Sequence, residues 1–268
     1  MRNIGLEELK RIQLDIVQAL HDFCIENGIK YSLSCGTLLG AIRHGGYIPW
    51  DDDIDVYMER KDYNRFVSLY PKSGKDIYEF ACMETAKHWN IPYGKLYDNR
   101  TLMIEEGEGW SPIGVNIDIF PVDAVPRDMD AWHRYNSFRT FLLKVYRCKK
   151  MKLGKRRSFR QNLLILFAKI PLALFSKRLV AKIISKYAQY YNEKKNAPCL
   201  FENVLGLMQK RPFDKDDFTE TILHRFEDRM LCVMKGYDNC LKCGFGDYMK
   251  LPPIEKRKSH HVFDAHWK

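Results

Sequence analysis

Three carboxylates stand out by the company they keep. In the run Asp51-Asp52-Asp53-Ile54-Asp55-Val56, a strand would put Asp53 and Asp55 on one face and Ile54, Val56 and Met58 on the other. Two like charges side by side are comfortable near neutral pH only with a cation between them or good screening by water. Oxygen donors favour Mg2+ or Mn2+ over zinc. A third acid, Asp118, alternates with Ile117 and Ile119 in VNIDIF. A lone acid in an apolar strand is costly to bury without a partner. If the two strands are neighbours, Asp53, Asp55 and Asp118 form a cluster able to hold one or two metal ions and to orient an attacking hydroxyl. The bland uses of the same residues are a solvated acidic loop and an exposed edge strand.

Upstream, Gly36-Thr37 follows a short strand and opens a helix. Backbone N–H groups at such a turn can cradle phosphate oxygens. A Gly-Thr pair is common, and a plain turn glycine is the alternative. The weight lies in the order: this turn, a carboxylate pair, then a single carboxylate in an apolar strand.

Several elements must position these groups. Leu9, Ile12, Ile16, Leu20 and Phe23 predict a helix over 6–26 that stops at Asn27-Gly28. Strands are predicted at 31–33 and 54–58, short helices at 36–43 and 61–70, and further strands at 77–82, 93–97, 102–104 and 115–120. From Met129 the pattern turns helical and basic, with the densest positive run over 147–160. The apolar stretch Leu163 to Phe175 is interrupted by Lys169 and Pro171 and falls short of the ~20 residues of a membrane span. A further basic amphipathic helix is predicted over 178–195. From about Pro212 helix signals precede a polar tail. The boundaries drawn are 1–125 for a catalytic core and 126–268 for a helical region with a closing C-terminal tail, packed as one unit with the core.

With 268 residues, 46% hydrophobic and 13% aromatic, the chain can build a packed core. A net charge of +10 suits anionic partners: nucleic acid, phosphorylated small molecules or an anionic membrane. No RNP, zinc-finger or helix-turn-helix signature accompanies the charge, so no nucleic-acid partner is expected. The N-terminal stretch reads as a charged amphipathic helix, not a leader, and the eight cysteines are scattered, so reduced thiols and a cytoplasmic location are expected. Cys240-Leu241-Lys242-Cys243 lacks a matching second pair, which weakens a zinc reading.

The segment YSLSCGTLLGAIRHGGYIPWDDDIDVYM, from Tyr31 to Met58, strongly resembles the signature of the LicD family. LEELKRIQLDI, YGKLYDNRT, NIDIFPVD and the tail GDYMKLPPIEKRKSHH are also similar to that family. It includes bacterial phosphocholine transferases and, more distantly, fukutin and fukutin-related protein. The resemblance implies an α/β fold: a nucleotidyltransferase-like mixed sheet flanked by helices, here with a mainly helical basic C-terminal half. It implies transfer of a phosphorylated alcohol from a CDP-linked donor to a glycan hydroxyl with release of CMP. Phosphocholine from CDP-choline is the best-known case, and ribitol or glycerol phosphate the alternatives. The acceptor would be a cell-surface glycan: lipopolysaccharide, capsule or a teichoic acid precursor.

Carried over by position, Gly36 and Thr37 match the family's glycine-plus-hydroxyl motif, Asp53 and Asp55 its paired metal ligands for Mg2+ (or Mn2+), and Asp118 its third carboxylate. Asp118 would bind metal or take the acceptor's proton. Asp51 and Asp52 belong to the same run, and either could be an outer-shell metal contact. Arg43, His44, Lys95, Lys250, Lys256, Arg257, His260 and His261 are the candidates to clamp phosphates, with surface charge as the ordinary alternative. Trp50 or Tyr47 could face a choline cation, although core packing suits both. The basic stretch from Arg139 to Lys195 is either a solvated helical face or a contact with the inner face of an anionic membrane, where a lipid-linked acceptor would be found. A true nucleotidyltransferase would use the same carboxylates.

Overall fold

Helix α1 (Leu6–Glu26) forms where the apolar spacing predicts it and buries Leu9, Ile12, Ile16, Leu20 and Phe23. Its macrodipole is matched by Glu7 and Glu8 in the first turn. A computed structural model describes residues 2–268 apart from 73, 75–76, 106–112, 152–157, 206–209 and 258–262. In it α1 packs against the central sheet and against strand β10 (Arg229–Met234).

The central sheet runs β1 (Ser32–Leu33), β2 (Asp55–Glu59), β6 (Asn116–Val125), β4 (Gly94–Asp98), β3 (Tyr78–Ala81). The β2–β6 pair is parallel and the others antiparallel, giving the mixed sheet expected. Helices α2 (Cys35–His44) and α3 (Arg60–Leu69) flank β2. Strand β6 changes partner along its length. Residues 116–119 pair with β4, and residues 123–125 pair with β7 (Cys199–Phe201), which pairs in turn with β8 (Phe213–Asp214). Pro121 falls in the gap between those partners, where the N–H it lacks is not needed on that side.

The second half begins with α4 (Met129–Lys150), α5 (Phe159–Leu172) and α6 (Lys177–Ala188). Asp128 caps α4 by accepting the Ala131 N–H at 2.8 Å, and Ser176 caps α6 by accepting that of Leu179 at 3.0 Å. Pro171 in the last turn of α5 leads to the helix end. The sequence pattern missed the hairpin of β9 (Thr221–Phe226) and β10, which precedes α7 (Tyr237–Phe245). β9 is mostly exposed, so its apolar alternation is faint. The polar tail ends in β11 (Phe263–Trp267), which pairs with β5 (Thr101–Glu105). Trp267 Nε1 donates to Glu8 on α1 at 3.1 Å. One hydrophobic core takes side chains from both sides of position 125, among them Ile119, Leu142, Ile184 and Leu231.

Candidate active site

The register of three adjacent strands lines up three charged side chains. Asp55 stands opposite Asp118 across the parallel β2–β6 pair, and Lys95 opposite Asp118 across the antiparallel β6–β4 pair. Strands lie about 4.8 Å apart, and directly opposed residues share a face. Lys95 Nζ reaches Asp118 Oδ1 at 2.6 Å and Asn116 Oδ1 at 2.9 Å. The lysine side chain is 4% exposed and the Asp118 side chain 19%, so the acid is the open end of the pair.

The backbone around Asp55 is fixed from several directions. Its N–H donates to Thr37 Oγ1 at 2.8 Å, and its carbonyl accepts the Ser34 N–H at 2.9 Å. The Asp118 N–H donates to the Ile54 carbonyl at 2.9 Å. Gln13, buried on α1, donates to the carbonyls of Asp52 (3.1 Å) and Asn116 (3.2 Å) and accepts the Tyr47 hydroxyl at 3.0 Å. The acidic run is thus tied to both α1 and β6.

Two glycines admit carboxylates. A Cβ on Gly36 would lie 2.5 Å from Asp51 Oδ2, and one on Gly46 would collide with Glu227. Glu227, in the β9–β10 turn, accepts the Tyr47 N–H at 2.9 Å and donates its own N–H to the Gly45 carbonyl at 2.8 Å. Cys35, before Gly36, has φ +50°, a left-handed conformation that strains a non-glycine residue and is held here by its surroundings.

The electrostatics are those of crowded acid groups. Burial first, and then Asp53, Asp118 and Asp51, push the Asp55 carboxyl well above the usual carboxylate range, while Lys95 opposes them. Oxygens of Asp51, Asp52 and Asp53 lie within 4.8 Å of one another. Residues 51–54 precede β2, so strict strand alternation does not govern Asp53, and Asp118 pairs with Lys95. An all-oxygen donor set beside a carboxyl that resists ionising fits a hard divalent cation.

These groups line a cleft of about 1400 Å³. Gly36, Arg43, Asp53, Asp55, Lys95, Asp118, Lys250 and Lys256 all face it. Thr37 does not; it is buried and its hydroxyl holds the Asp55 backbone, so it serves the strand and not the cleft surface. His44 and Arg257 are not among the lining residues. His44 meets the edge of Trp50, and Arg257 lies 5.6 Å over the Trp50 ring while donating to the Pro252 carbonyl at 2.8 Å. Arg43 donates to the Tyr248 carbonyl at 2.6 Å. Burial and then neighbouring Arg257 hold its guanidinium below its ordinary pKa. Trp50 lines the cleft, whereas Tyr47 is buried under it. His260 and His261 lie outside the described residues. Cys240 and Cys243 are buried on α7, where the Cys243 thiol donates to the Pro212 carbonyl at 3.4 Å.

The sequence reading missed Gln13 and Asn116, and it placed Arg147 and Lys150 only in a basic run. Each had a signal. Gln13 is a polar residue beside the buried stripe of α1. Asn116 is two positions from Asp118 and therefore shares its strand face. Arg147 and Lys150, with Leu143 and Tyr146, bring the last turns of α4 into the cleft wall.

Comparison with known proteins adds to this geometry. Residues 28–153 match the family described as LicD/FKTN/FKRP, nucleotidyltransferase domain. The chain is 35% identical over 275 residues to the lipopolysaccharide cholinephosphotransferase LicD of Haemophilus influenzae, covering 99% of each chain. It is 40% identical over 57 residues to the human ribitol 5-phosphate transferase FKRP, which is 20% of this chain and 10% of that protein. An uncharacterized protein of Rickettsia typhi, RT0683, is 38% identical over 73 residues, 27% of this chain and 24% of that one.

Proposed function

The chain belongs to the LicD family, and from that premise we propose that it is a metal-dependent transferase moving phosphocholine from CDP-choline onto a hydroxyl of a cell-surface glycan. The observation that carries this reading is the row Asp55–Asp118–Lys95 on three neighbouring strands, beside the crowded oxygens of Asp51, Asp52 and Asp53. The full-length likeness to a lipopolysaccharide cholinephosphotransferase supports the choice of donor.

The donor pyrophosphate would lie between the acidic run and the cations Arg43, Lys250 and Lys256 across the cleft. Asp51, Asp52, Asp53 and Asp55 would hold Mg2+ (or Mn2+), which when bound supplies neutralising charge for the phosphates. The acceptor oxygen attacks the phosphorus distal to the nucleoside. A new P–O bond forms, the P–O bond to CMP breaks, and the hydroxyl proton passes to Asp118. Lys95, 2.6 Å away and buried, keeps that carboxylate aimed at the acceptor. Little covalent chemistry is asked of the side chains, so positioning and charge carry most of the rate. The acceptor would arrive on a lipid carrier at the cytoplasmic face of a membrane.

Ribitol phosphate or glycerol phosphate is the second reading for the donor, favoured by the likeness to a ribitol 5-phosphate transferase. Thermal shift with CDP-choline, CDP-ribitol, CDP-glycerol and CTP in Mg2+ ranks the donors. Incubation with the best donor and a glycan acceptor then tests transfer. CMP release with the phosphorylated alcohol on the glycan supports the proposal. Pyrophosphate release from CTP assigns a nucleotidyltransferase instead.

A further inference from the structure

We infer that helix α5, together with the neighbouring faces of α4 and α6, is an interfacial element that docks on an anionic lipid bilayer at the α4 side of the cleft. Residues 131–192 contain 16 of the 44 Lys and Arg and none of the 34 Asp and Glu. The rest of the chain is net negative, so this one segment carries the whole positive excess.

Within the segment, Leu163, Leu166, Phe167 and Ile170 recur at helical spacing and are exposed, and Leu174 and Phe175 continue the stripe past the helix end. Phe167 is 61% exposed, Ile170 60% and Leu174 90%. A surface helix normally turns such a stripe to the core. Here it faces outward with Lys169 and Lys177 alongside.

The occupant follows from size and charge. At 14 residues α5 is about 21 Å long, short of the ~30 Å hydrocarbon layer. Among the described residues no helix is long and apolar enough to cross a membrane. A helix lying in the bilayer surface needs no such length; it needs an apolar face and flanking cations. A second copy of this chain would oppose one dense positive segment with another, which like-charge repulsion disfavours. Nucleic acid would leave the apolar stripe uncovered. The docked face adjoins the cleft, because α4 packs on α5 and α6 and lines the cleft with Leu143, Tyr146, Arg147 and Lys150. A glycan held at the bilayer would enter from that side.

The inference rests on this surface and not on the transfer chemistry, and its test is read without turnover. The protein is sedimented with vesicles of phosphatidylcholine alone and with vesicles containing roughly a third phosphatidylglycerol, at about 0.1 M salt. The expected result is at least ~tenfold stronger binding to the anionic vesicles, lost in the double variant Phe167→Glu, Ile170→Glu. The variant should melt like the parent and, if transfer is established, keep its turnover of a water-soluble acceptor. Equal or absent binding to the two vesicles overturns the inference. So does binding that the double variant retains, or a dimer in solution that the same substitutions dissociate.

Discussion

Strand β6 carries two acids five residues apart, and each meets a cation. Asp123 is fully buried, gripped by Arg60 Nε and Nη2 at 2.8 and 2.6 Å and by Asn192 Nδ2 at 2.7 Å. Asp118 meets Lys95 at 2.6 Å but is part exposed at the floor of the cleft, opposite Asp55. The first arrangement saturates its carboxylate and closes the sheet against α3 and the segment after α6. The second leaves its carboxylate part exposed in the cleft lining among like charges. Satisfied acids are architecture; an acid held by one side and open on the other is available for chemistry.

The largest effects should separate the two ends of the strand. Asp118→Asn should lower kcat/KM by about 10³-fold, the scale of losing a positioned proton acceptor. Its melting temperature should fall less than that of the Asp123 variant, since Asp118 is part exposed and both the new amide oxygen and Asn116 still accept from Lys95. Asp123→Ala should do the reverse. It strands the buried Arg60 guanidinium and should cost roughly 3–5 kcal/mol, seen as a lower urea midpoint, while the folded fraction keeps its turnover. An Asp118→Asn protein that unfolds, or an Asp123→Ala protein that is stable and inactive, would break the distinction.

Thr37 tests how the open end is positioned. Thr37→Val leaves the Asp55 N–H without its acceptor and should cost about 1–2 kcal/mol in stability. A displaced Asp55 should lower kcat by roughly ten- to a hundredfold. Thr37→Ser should restore both. A change confined to KM for the donor would return Thr37 to the phosphate-binding role that its sequence position suggests.

How much of this was readable in the residues differs from place to place. The Asp55–Asp118 neighbourhood was legible because each acid interrupts an apolar alternation, and such an interruption is expensive without a purpose. Lys95 was legible for the same reason, as a cation in a strand-like stretch. The grouping of Asp51 with Asp52 and Asp53 was not, because alternation holds only inside a strand and the run precedes β2. The role of Thr37 was hidden, since a hydroxyl that holds a backbone N–H and one that holds a phosphate look alike in a sequence. The pairing of β11 with β5 was also hidden: it joins residues about 160 positions apart, and no local pattern reports such a contact.

The smallest expected effect bears on the crowding itself. Burial and neighbouring Asp53, Asp118 and Asp51 raise the Asp55 carboxyl above its ordinary range, so the folded protein prefers that group neutral. Between the two pKa values the folded state therefore binds more protons than the unfolded chain. The stability that the protonated Asp55 contributes is present below the ordinary carboxylate range. It is lost as pH rises through the raised value. In EDTA the parent should therefore lose stability across that window, and Asp55→Asn should not. At neutral pH the variant should melt higher by about 2–4 °C, what ~1 kcal/mol gives a domain of this size, although its turnover is lost. Mg2+ should raise the parent's melting temperature and narrow the gap, since a cation among the oxygens removes the repulsion that Asn removes by substitution. The corresponding Asp123→Asn protein has no repulsion to relieve and should melt lower at every pH. If Asp55→Asn melts no higher than the parent in EDTA, the acids at the cleft floor do not strain one another, and the contrast between the two ends of β6 lies in exposure alone.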